Sequence, residues 1–168
     1  MLNSSCIQTV YLPKNKVKVP KDINFFKEKY KTKYNVISPT DIDTSVMYKE
    51  IFYINQENEV FIHTDHDSFL KFYPNGNVNY FSKQKGLEME FNPFETGYRG
   101  VTYFSTKKNK QIISLVEPVT GLLTYGVRDY YASVKNDTLL IKRRGDIFTH
   151  IYVPYKVTES NNTYITQW

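Results

Sequence analysis

The sequence predicts a mostly β protein, an antiparallel meander that closes into an up-and-down barrel, with a β-sandwich as the alternative and one N-terminal helix. Aromatic residues make up 16% of the 168 residues, led by 15 tyrosines and 11 phenylalanines, and such side chains favour pleated, half-buried surfaces. Alanine, the strongest helix former, occurs only as Ala132. Short apolar runs alternate with turn residues at regular spacing, which is typical of sandwiches and barrels.

The clearest element is a hairpin over residues 68–82, where two aromatic-rich runs flank a Pro-Asn-Gly-Asn turn. Asn and Gly tolerate the positive φ of a tight turn, and Pro fixes the entry into it. The alternation of a strand predicts that Leu70 and Phe72 share one face. For the same reason, Val78 and Tyr80 should continue a face across the turn.

Before the strands, we predict an N-terminal tether at residues 1–20 and a helix at 21–33. We expect residues 21–168, including this helix, to form a single barrel domain. Asp22 can cap the helix, because its side chain can accept a hydrogen bond from the first turn. The helix has one apolar stripe at i, i+3 and i+7, formed by Ile23, Phe26 and Tyr30.

The remaining strands follow from runs of apolar and aromatic residues bounded by turn residues. In chain order we predict strands at 7–12, 46–55, 59–64, the two arms of the hairpin, 98–105, 111–116, 122–135, 138–142, 147–157 and 164–168. Gly126 stands in the middle of one of them, where a glycine often marks a bulge or a barrel corner. The strand at 147–157 has apolar residues at alternate positions from Ile147 to Val157.

The charge of the chain does not indicate a nucleic-acid partner. Lys and Arg number 22 against 17 Asp and Glu, a formal net charge of +5 with a pI near 9.1. The basic sets at 14–21 and 142–144 are too short and too dispersed for a binding tail. Contact with an anionic membrane surface or an acidic partner stays open. The single cysteine excludes an internal disulfide framework, and no apolar run approaches the length of a transmembrane helix.

The first residues, Met-Leu-Asn-Ser-Ser-Cys6, place small residues before a cysteine, and polar, lysine-rich and proline-bearing residues follow. This arrangement resembles the end of a bacterial lipoprotein signal peptide, in which the cysteine becomes the lipidated first residue of the mature protein. The resemblance implies acylation of Cys6 and anchoring to a membrane, although no apolar segment of a complete signal peptide precedes Cys6. An ordinary unpaired cysteine near a chain terminus is the other interpretation.

Three segments follow one another along the chain: Ile42 to Tyr48, the Phe-Tyr-Pro-Asn-Gly hairpin, and a Tyr-Tyr run at 130–131 followed by Asp-Thr-Leu at 137–139. In this order they resemble the small lipocalin-like lipoproteins of Bacteroidota, over about residues 42–157. The resemblance implies a cup-shaped, lipocalin-like barrel in the bacterial cell envelope, periplasmic or at the outer membrane, with a cytoplasmic location as the alternative. The resemblance does not identify any functional residue in this chain. The Gly-x-Trp strand of lipocalins is absent from this sequence.

The most suggestive chemical cluster is the run from His63 through Asp65 and His66 to Asp67. Such residues could hold a divalent cation or perform acid–base catalysis. On a strand that enters a turn, however, His63 and Asp65 share a face while His66 points elsewhere, and no known zinc or calcium spacing is present. We therefore interpret the cluster as a turn, and we predict no metal and no cofactor. No nucleophile elbow or phosphate loop occurs either, so we predict no catalytic residue and no enzyme activity.

Tyrosine combines an apolar ring with a polar hydroxyl group, so inward-facing tyrosines suit a cavity that is partly polar but not open to solvent. If the barrel encloses a ligand, the long strand at 122–135 and a neighbouring strand should contribute to its site. The predicted ligand-binding residues are Tyr103, Tyr125, Arg128, Tyr130 and Tyr131. The open alternative is that these tyrosines only pack and that Arg128 forms a salt bridge with Asp129 in the barrel wall.

Two functional hypotheses follow. The first is a non-enzymatic envelope lipoprotein whose barrel binds one small, apolar or amphipathic molecule, since a barrel of about eight strands holds either one small ligand or only side chains. The second is a protein–protein interaction module with a filled barrel and no ligand. A weaker third hypothesis is an enzyme that uses the His63–Asp67 turn. The interior volume of the barrel separates the first two.

Overall fold

The structure, a computed structural model of the chain, describes residues 9–14, 17–21, 41–87, 91–118 and 125–156. The regular elements are strands β1 to β11: Thr9–Tyr11, Lys18–Pro20, Met47–Ile54, Val60–Phe61, His66–Phe72, Asn77–Gln84, Tyr98–Ser105, Lys110–Pro118, Tyr125–Lys135, Thr138–Arg143 and Thr149–Tyr155. Apart from Lys21, the predicted helix at 21–33 lies outside the described residues, as does the predicted strand at 164–168. Within the described ranges, no helix is long and apolar enough to cross a membrane.

Eight of the strands form a closed antiparallel barrel, which confirms the predicted fold class over the sandwich alternative. β3 pairs with β5, and β5 to β11 then follow one another as antiparallel neighbours. β11 pairs back with β3 from Thr149 opposite Ile54 to Tyr155 opposite Met47, which closes the ring. The two-residue β4 pairs with the end of β3 and adds to one rim of the barrel.

The predicted central hairpin forms between β5 and β6. Gly76 adopts a positive φ of 82°, and its N–H donates a 2.9 Å hydrogen bond to the Tyr73 carbonyl oxygen. The Tyr73 N–H donates a 3.0 Å hydrogen bond to the Asn77 carbonyl oxygen, which closes the turn. As predicted, one face of this hairpin contributes to a single core inside the barrel, through Leu70, Phe72, Val78 and Tyr80.

A β-bulge interrupts β3 where it pairs with β11. Ile151 lies opposite Phe52, but the next residue, Tyr152, lies opposite Glu50, so Ile51 has no partner in β11. An extra residue resets the alternation of a strand. The Glu50 carboxylate, before the bulge, and the Tyr53 ring, after it, therefore both face the first half of β11.

Gly126 does not form the predicted bulge. β9 begins at Tyr125 in the described chain, so Gly126 lies near the start of the strand and not in its middle. Gly126 pairs with Glu117, and the register between β8 and β9 runs without a shift as far as Gln111 opposite Ala132.

The segment predicted as a tether includes a hairpin, β1–β2, that packs on the outside of the barrel. Leu12 and Val19 of this segment are buried, at 2% and 1% exposure. Arg99 on β7, itself buried, donates a hydrogen bond from Nη1 to the Pro20 carbonyl oxygen at 2.9 Å. The N-terminal hairpin therefore covers part of the outer face of β7.

Candidate functional site

A cavity of about 330 Å³ occupies one end of the barrel interior. This is the end where the longer connections lie, between β3 and β5 (which includes β4), β6 and β7, β8 and β9, and β10 and β11. The other half of the interior is packed with fully buried side chains such as Phe72, Val78 and Leu139. The cavity wall combines apolar and aromatic side chains: Leu70, Ile113, Leu115, Ile141, Tyr80, Tyr98, Tyr130 and Tyr152.

Strand alternation explains how the sequence builds this wall. On β8, Ile113, Leu115 and Glu117 occupy every second position and line the cavity. Their neighbours Ile112 and Val116 face outwards and pack in a separate cluster on the outside of the barrel. One strand thus supplies both an apolar wall and a carboxylate to the interior.

Glu117 is the first polar feature of the cavity. The Tyr130 hydroxyl donates a 2.7 Å hydrogen bond to Glu117 Oε1, and Arg128 Nε lies 3.5 Å from Glu117 Oε2. Burial, and next the charge of Glu117, raise the pKa of the Tyr130 phenol well above its ordinary value. The phenol therefore stays protonated and holds Glu117 in place from the neighbouring strand.

Tyr80, on β6, is held by its own contacts. Its hydroxyl lies 3.0 Å from Ser68 Oγ on the adjacent strand, and its ring stacks on that of Tyr98 with centroids 6.1 Å apart. Burial raises the pKa of Tyr80, so this phenol is also neutral near pH 7. The aromatic part of the cavity is therefore fixed by contacts on both sides.

Glu50 is the second carboxylate, and it meets two histidines. His150 Nδ1 donates a 2.6 Å hydrogen bond to Glu50 Oε1, and His63 Nε2 lies 3.3 Å from the same oxygen. The Tyr152 hydroxyl donates to the other oxygen, Oε2, at 3.3 Å. All four side chains line the cavity, so the polar end of the cavity is defined by this group.

The Glu50 side chain is only 4% exposed. Burial alone raises the pKa of the Glu50 carboxyl, but the hydrogen bond and charge of His150, with the charge of His63, outweigh burial. The pKa of Glu50 therefore lies below its ordinary value. The interior of the barrel holds an ionised carboxylate near neutral pH.

Aromatic rings fix the two histidines that contact Glu50. The Tyr53 ring lies 4.8 Å from the His63 ring and 5.5 Å from the His150 ring, measured between centroids. Tyr53 in turn packs against Phe61 and Phe148 at 5.3 Å. The bulge at Ile51 is what turns Tyr53 toward this cluster.

All three histidines of the chain meet at this end of the barrel. The His66 ring lies 4.2 Å from the His63 ring, and His66 Nδ1 is 2.8 Å from Asp65 Oδ1. The sequence prediction that His63 and Asp65 share a face is wrong, because residues 62–65 do not continue a strand and the period of two does not apply to them. His63 and His66 face the cavity, whereas the Asp65 side chain is 79% exposed.

The predicted ligand-binding residues divide between the two faces of the wall. Tyr130 lines the cavity, and Arg128 reaches it through Glu117. Tyr103 and Tyr131 belong to the outer cluster, on the opposite face of the sheet. The Tyr125 side chain and Cys6 lie outside the described part of the structure. Ligand binding by any of the five residues, and acylation of Cys6, stay predictions.

Sequence reasoning missed most of the polar end of the cavity. Glu50 sits in an ordinary apolar strand, and no local motif marks it or His150. The one available signal in the sequence was its histidine content: the chain has three histidines in 168 residues, and two of them are near acidic residues in the sequence.

No protein-family model, no curated protein and no solved structure matches this chain. The functional inference therefore depends on the side chains themselves.

Proposed function

We propose that the protein is a non-enzymatic binding protein whose lipocalin-like barrel takes up one small, partly apolar molecule. The observation that most supports this proposal is the barrel interior, which contains a cavity at one end and is filled with side chains at the other. A volume of about 330 Å³ falls at the lower end of the range of small-molecule pockets. The cavity also favours this function over an interaction module with a filled barrel.

The lining defines the chemistry of the ligand. Leu70, Ile113 and Ile141 offer an apolar surface to the body of the molecule. Glu50 and Glu117, which only accept hydrogen bonds when ionised, lie at the polar positions. We infer a small amphipathic ligand whose polar end donates hydrogen bonds, as an amine or a hydroxyl group does.

Attachment to a bacterial envelope through Cys6 belongs to the same proposal, and it is supported only by the resemblance of residues 1–6 to a lipoprotein signal. Native mass spectrometry of the protein purified from membranes of its own host tests this part. We expect a mass excess that corresponds to acyl chains. A bare polypeptide mass would contradict anchoring and leave the cavity proposal to its own test.

Binding of a neutral aromatic dye, N-phenyl-1-naphthylamine, tests the cavity. We expect saturable binding of one dye with enhanced fluorescence. Ile141→Phe and Leu70→Phe each add bulk inside the cavity and should weaken binding about tenfold or more. Val127→Phe adds the same ring to an exposed outer position and should leave binding unchanged. Circular dichroism confirms that each variant folds.

Two results would overturn the proposal. The first is the absence of saturable dye binding by the wild-type chain. The second is equal weakening by the inner and outer phenylalanine variants, which would place the dye on the surface.

A further inference from the structure

Glu50, His63 and His150 place one carboxylate oxygen and two ring nitrogens within 4.8 Å of one another. The residues come from β3, from the connection after β4 and from β11. Two imidazoles and one carboxylate form a ligand set that binds Zn²⁺ and related first-row divalent ions. We propose that these three side chains bind one divalent transition-metal ion of the zinc type at the polar end of the cavity.

Two of the three distances between the ligand atoms are close to those around such an ion, and the third, between His63 and His150, is at most 4.8 Å and must shorten by up to about 1.4 Å. Around a tetrahedral zinc with bonds of about 2.0–2.2 Å, neighbouring ligand atoms lie roughly 3.4 Å apart. Glu50 Oε1 and His63 Nε2 are 3.3 Å apart, which needs almost no change. Glu50 Oε1 and His150 Nδ1 are 2.6 Å apart, so the His150 ring must withdraw by less than about 1 Å. The ion takes the place of the ring proton that now bridges this pair.

The surroundings of the three ligands orient them. The Tyr152 hydroxyl holds Glu50 Oε2, which leaves Oε1 directed at the two histidines. The Tyr53 ring packs against both imidazoles and limits their rotation. Outer contacts of this kind are what turn a group of potential ligands into a selective metal site.

The remaining coordination positions face the cavity, because all three residues line it. Three protein ligands and an open position are typical of zinc sites that bind an exchangeable molecule, in contrast to closed structural sites. Water takes the open position, and the hydrogen-bond-donating end of a cavity ligand then pairs with Glu117. The metal site does not require an organic ligand, so the dye experiment and the metal experiments can fail separately.

His66 is the side chain most easily confused with a ligand. Its ring lies beside that of His63, but its Nδ1 pairs with Asp65 at the exposed rim of the barrel. We assign His66 outside the ligand set. This assignment makes His66 the matched control for His63 and His150.

The direct test uses the wild-type chain without a histidine tag. Long-range ¹H–¹⁵N spectra of the ring nitrogens are recorded during a Zn²⁺ titration, and the chain has only three histidines to resolve. We expect one equivalent of Zn²⁺ to shift Nε2 of His63 and Nδ1 of His150 to values of metal-bound nitrogens. The nitrogens of His66 should keep the values of an unbound imidazole.

Variants give the second test, by isothermal titration with Zn²⁺. Glu50→Gln, His63→Gln and His150→Gln should each weaken binding at least about 100-fold. His66→Gln should bind as tightly as the wild-type chain. Near-ultraviolet circular dichroism in the presence of EDTA confirms that each variant is folded.

The proposal is overturned if the wild-type chain binds no Zn²⁺, or if the metal-bound signals belong to His66. Binding that survives all three ligand substitutions would also overturn it, since the ion would then lie elsewhere on the chain. In those cases the cluster is a buried network of hydrogen bonds only.

Discussion

Glu50 and His150 are 100 residues apart in the chain, yet His150 Nδ1 donates a 2.6 Å hydrogen bond to Glu50 Oε1 inside the barrel. The two residues meet because β11 pairs with β3, the pairing that closes the barrel. The Glu50 side chain is 4% exposed, so it depends on protein partners for its hydrogen bonds. This hydrogen bond therefore connects the two strands that close the barrel, and it lies at the polar end of the cavity.

Loss of this bond should destabilise the protein. We expect His150→Ala, measured by urea unfolding with EDTA present, to lower the free energy of unfolding by about 1–3 kcal/mol, because a buried carboxylate loses a partner. His66→Ala is the matched control, because its partner Asp65 is exposed, and it should change stability by less than about 0.5 kcal/mol. Equal effects of the two substitutions would contradict the role assigned to the Glu50–His150 bond.

Gly100 on β7 should not tolerate alanine. A Cβ atom at this position would lie 2.4 Å from the Ser114 carbonyl oxygen and 2.6 Å from Leu115 Cδ2. Because one of the clashing atoms belongs to the backbone of β8, we expect Gly100→Ala to cost about 1–3 kcal/mol in thermal or urea unfolding. Ser133→Ala, at an exposed position of β9, serves as control. A Gly100→Ala variant as stable as this control would contradict the close packing of β7 on β8.

The N-terminal hairpin should loosen when Arg99 loses its guanidinium group. Arg99→Met keeps an apolar stem but removes the hydrogen bond to the Pro20 carbonyl oxygen. We expect trypsin to cleave faster after Lys14 and Lys18, because local opening of the hairpin becomes easier. Dye binding in the cavity should not change. Unchanged cleavage, or cleavage as fast in an Arg144→Met control, would show that Arg99 does not hold the hairpin.

High pH should unfold the barrel through its buried phenols. Burial raises the pKa of Tyr48, Tyr80 and Tyr130. In the unfolded chain these groups ionise near pH 10, so above about that pH the unfolded chain releases protons that the folded chain retains. The stability they contribute is present in full below pH 10 and is lost as the pH rises toward the folded values.

Absorbance at 295 nm and circular dichroism, recorded together, check this behaviour. The buried phenols should ionise only as the barrel unfolds. Tyr130→Phe should make the fall of stability with pH shallower by up to about 1.4 kcal/mol per pH unit. Ionisation of every tyrosine in a barrel that is still folded would contradict the prediction.

Much of the fold could be predicted because its signals are local. The turn at Gly76 and the one at Asn136 and Asp137 adopt positive φ, as residues of these types do readily in tight hairpins. Once each hairpin is fixed, neighbouring strands pair in chain order, and the meander follows. The inward face of β5 and β6 follows from the same alternation.

The candidate site could not be predicted in this way, since it depends on contacts that are distant in sequence. Glu50 faces His150 only because the barrel closes and because the bulge at Ile51 resets the alternation of β3. In the sequence, the apolar residues at alternate positions of β11 suggest that their face of the strand lines the cavity. In the structure His150 and Tyr152 line the cavity, while Ile151 between them is buried on the outer side.

The central claim is that the cavity at one end of the barrel holds a small molecule. Locating a bound probe tests this claim most directly. Isotope-filtered nuclear Overhauser spectra identify the methyl groups that contact N-phenyl-1-naphthylamine in the wild-type chain. We predict contacts to the inner methyl groups of Leu70, Ile113, Leu115 and Ile141. Contacts only to exposed methyl groups, such as those of Ile51, Ile62 and Ile147, would contradict the claim.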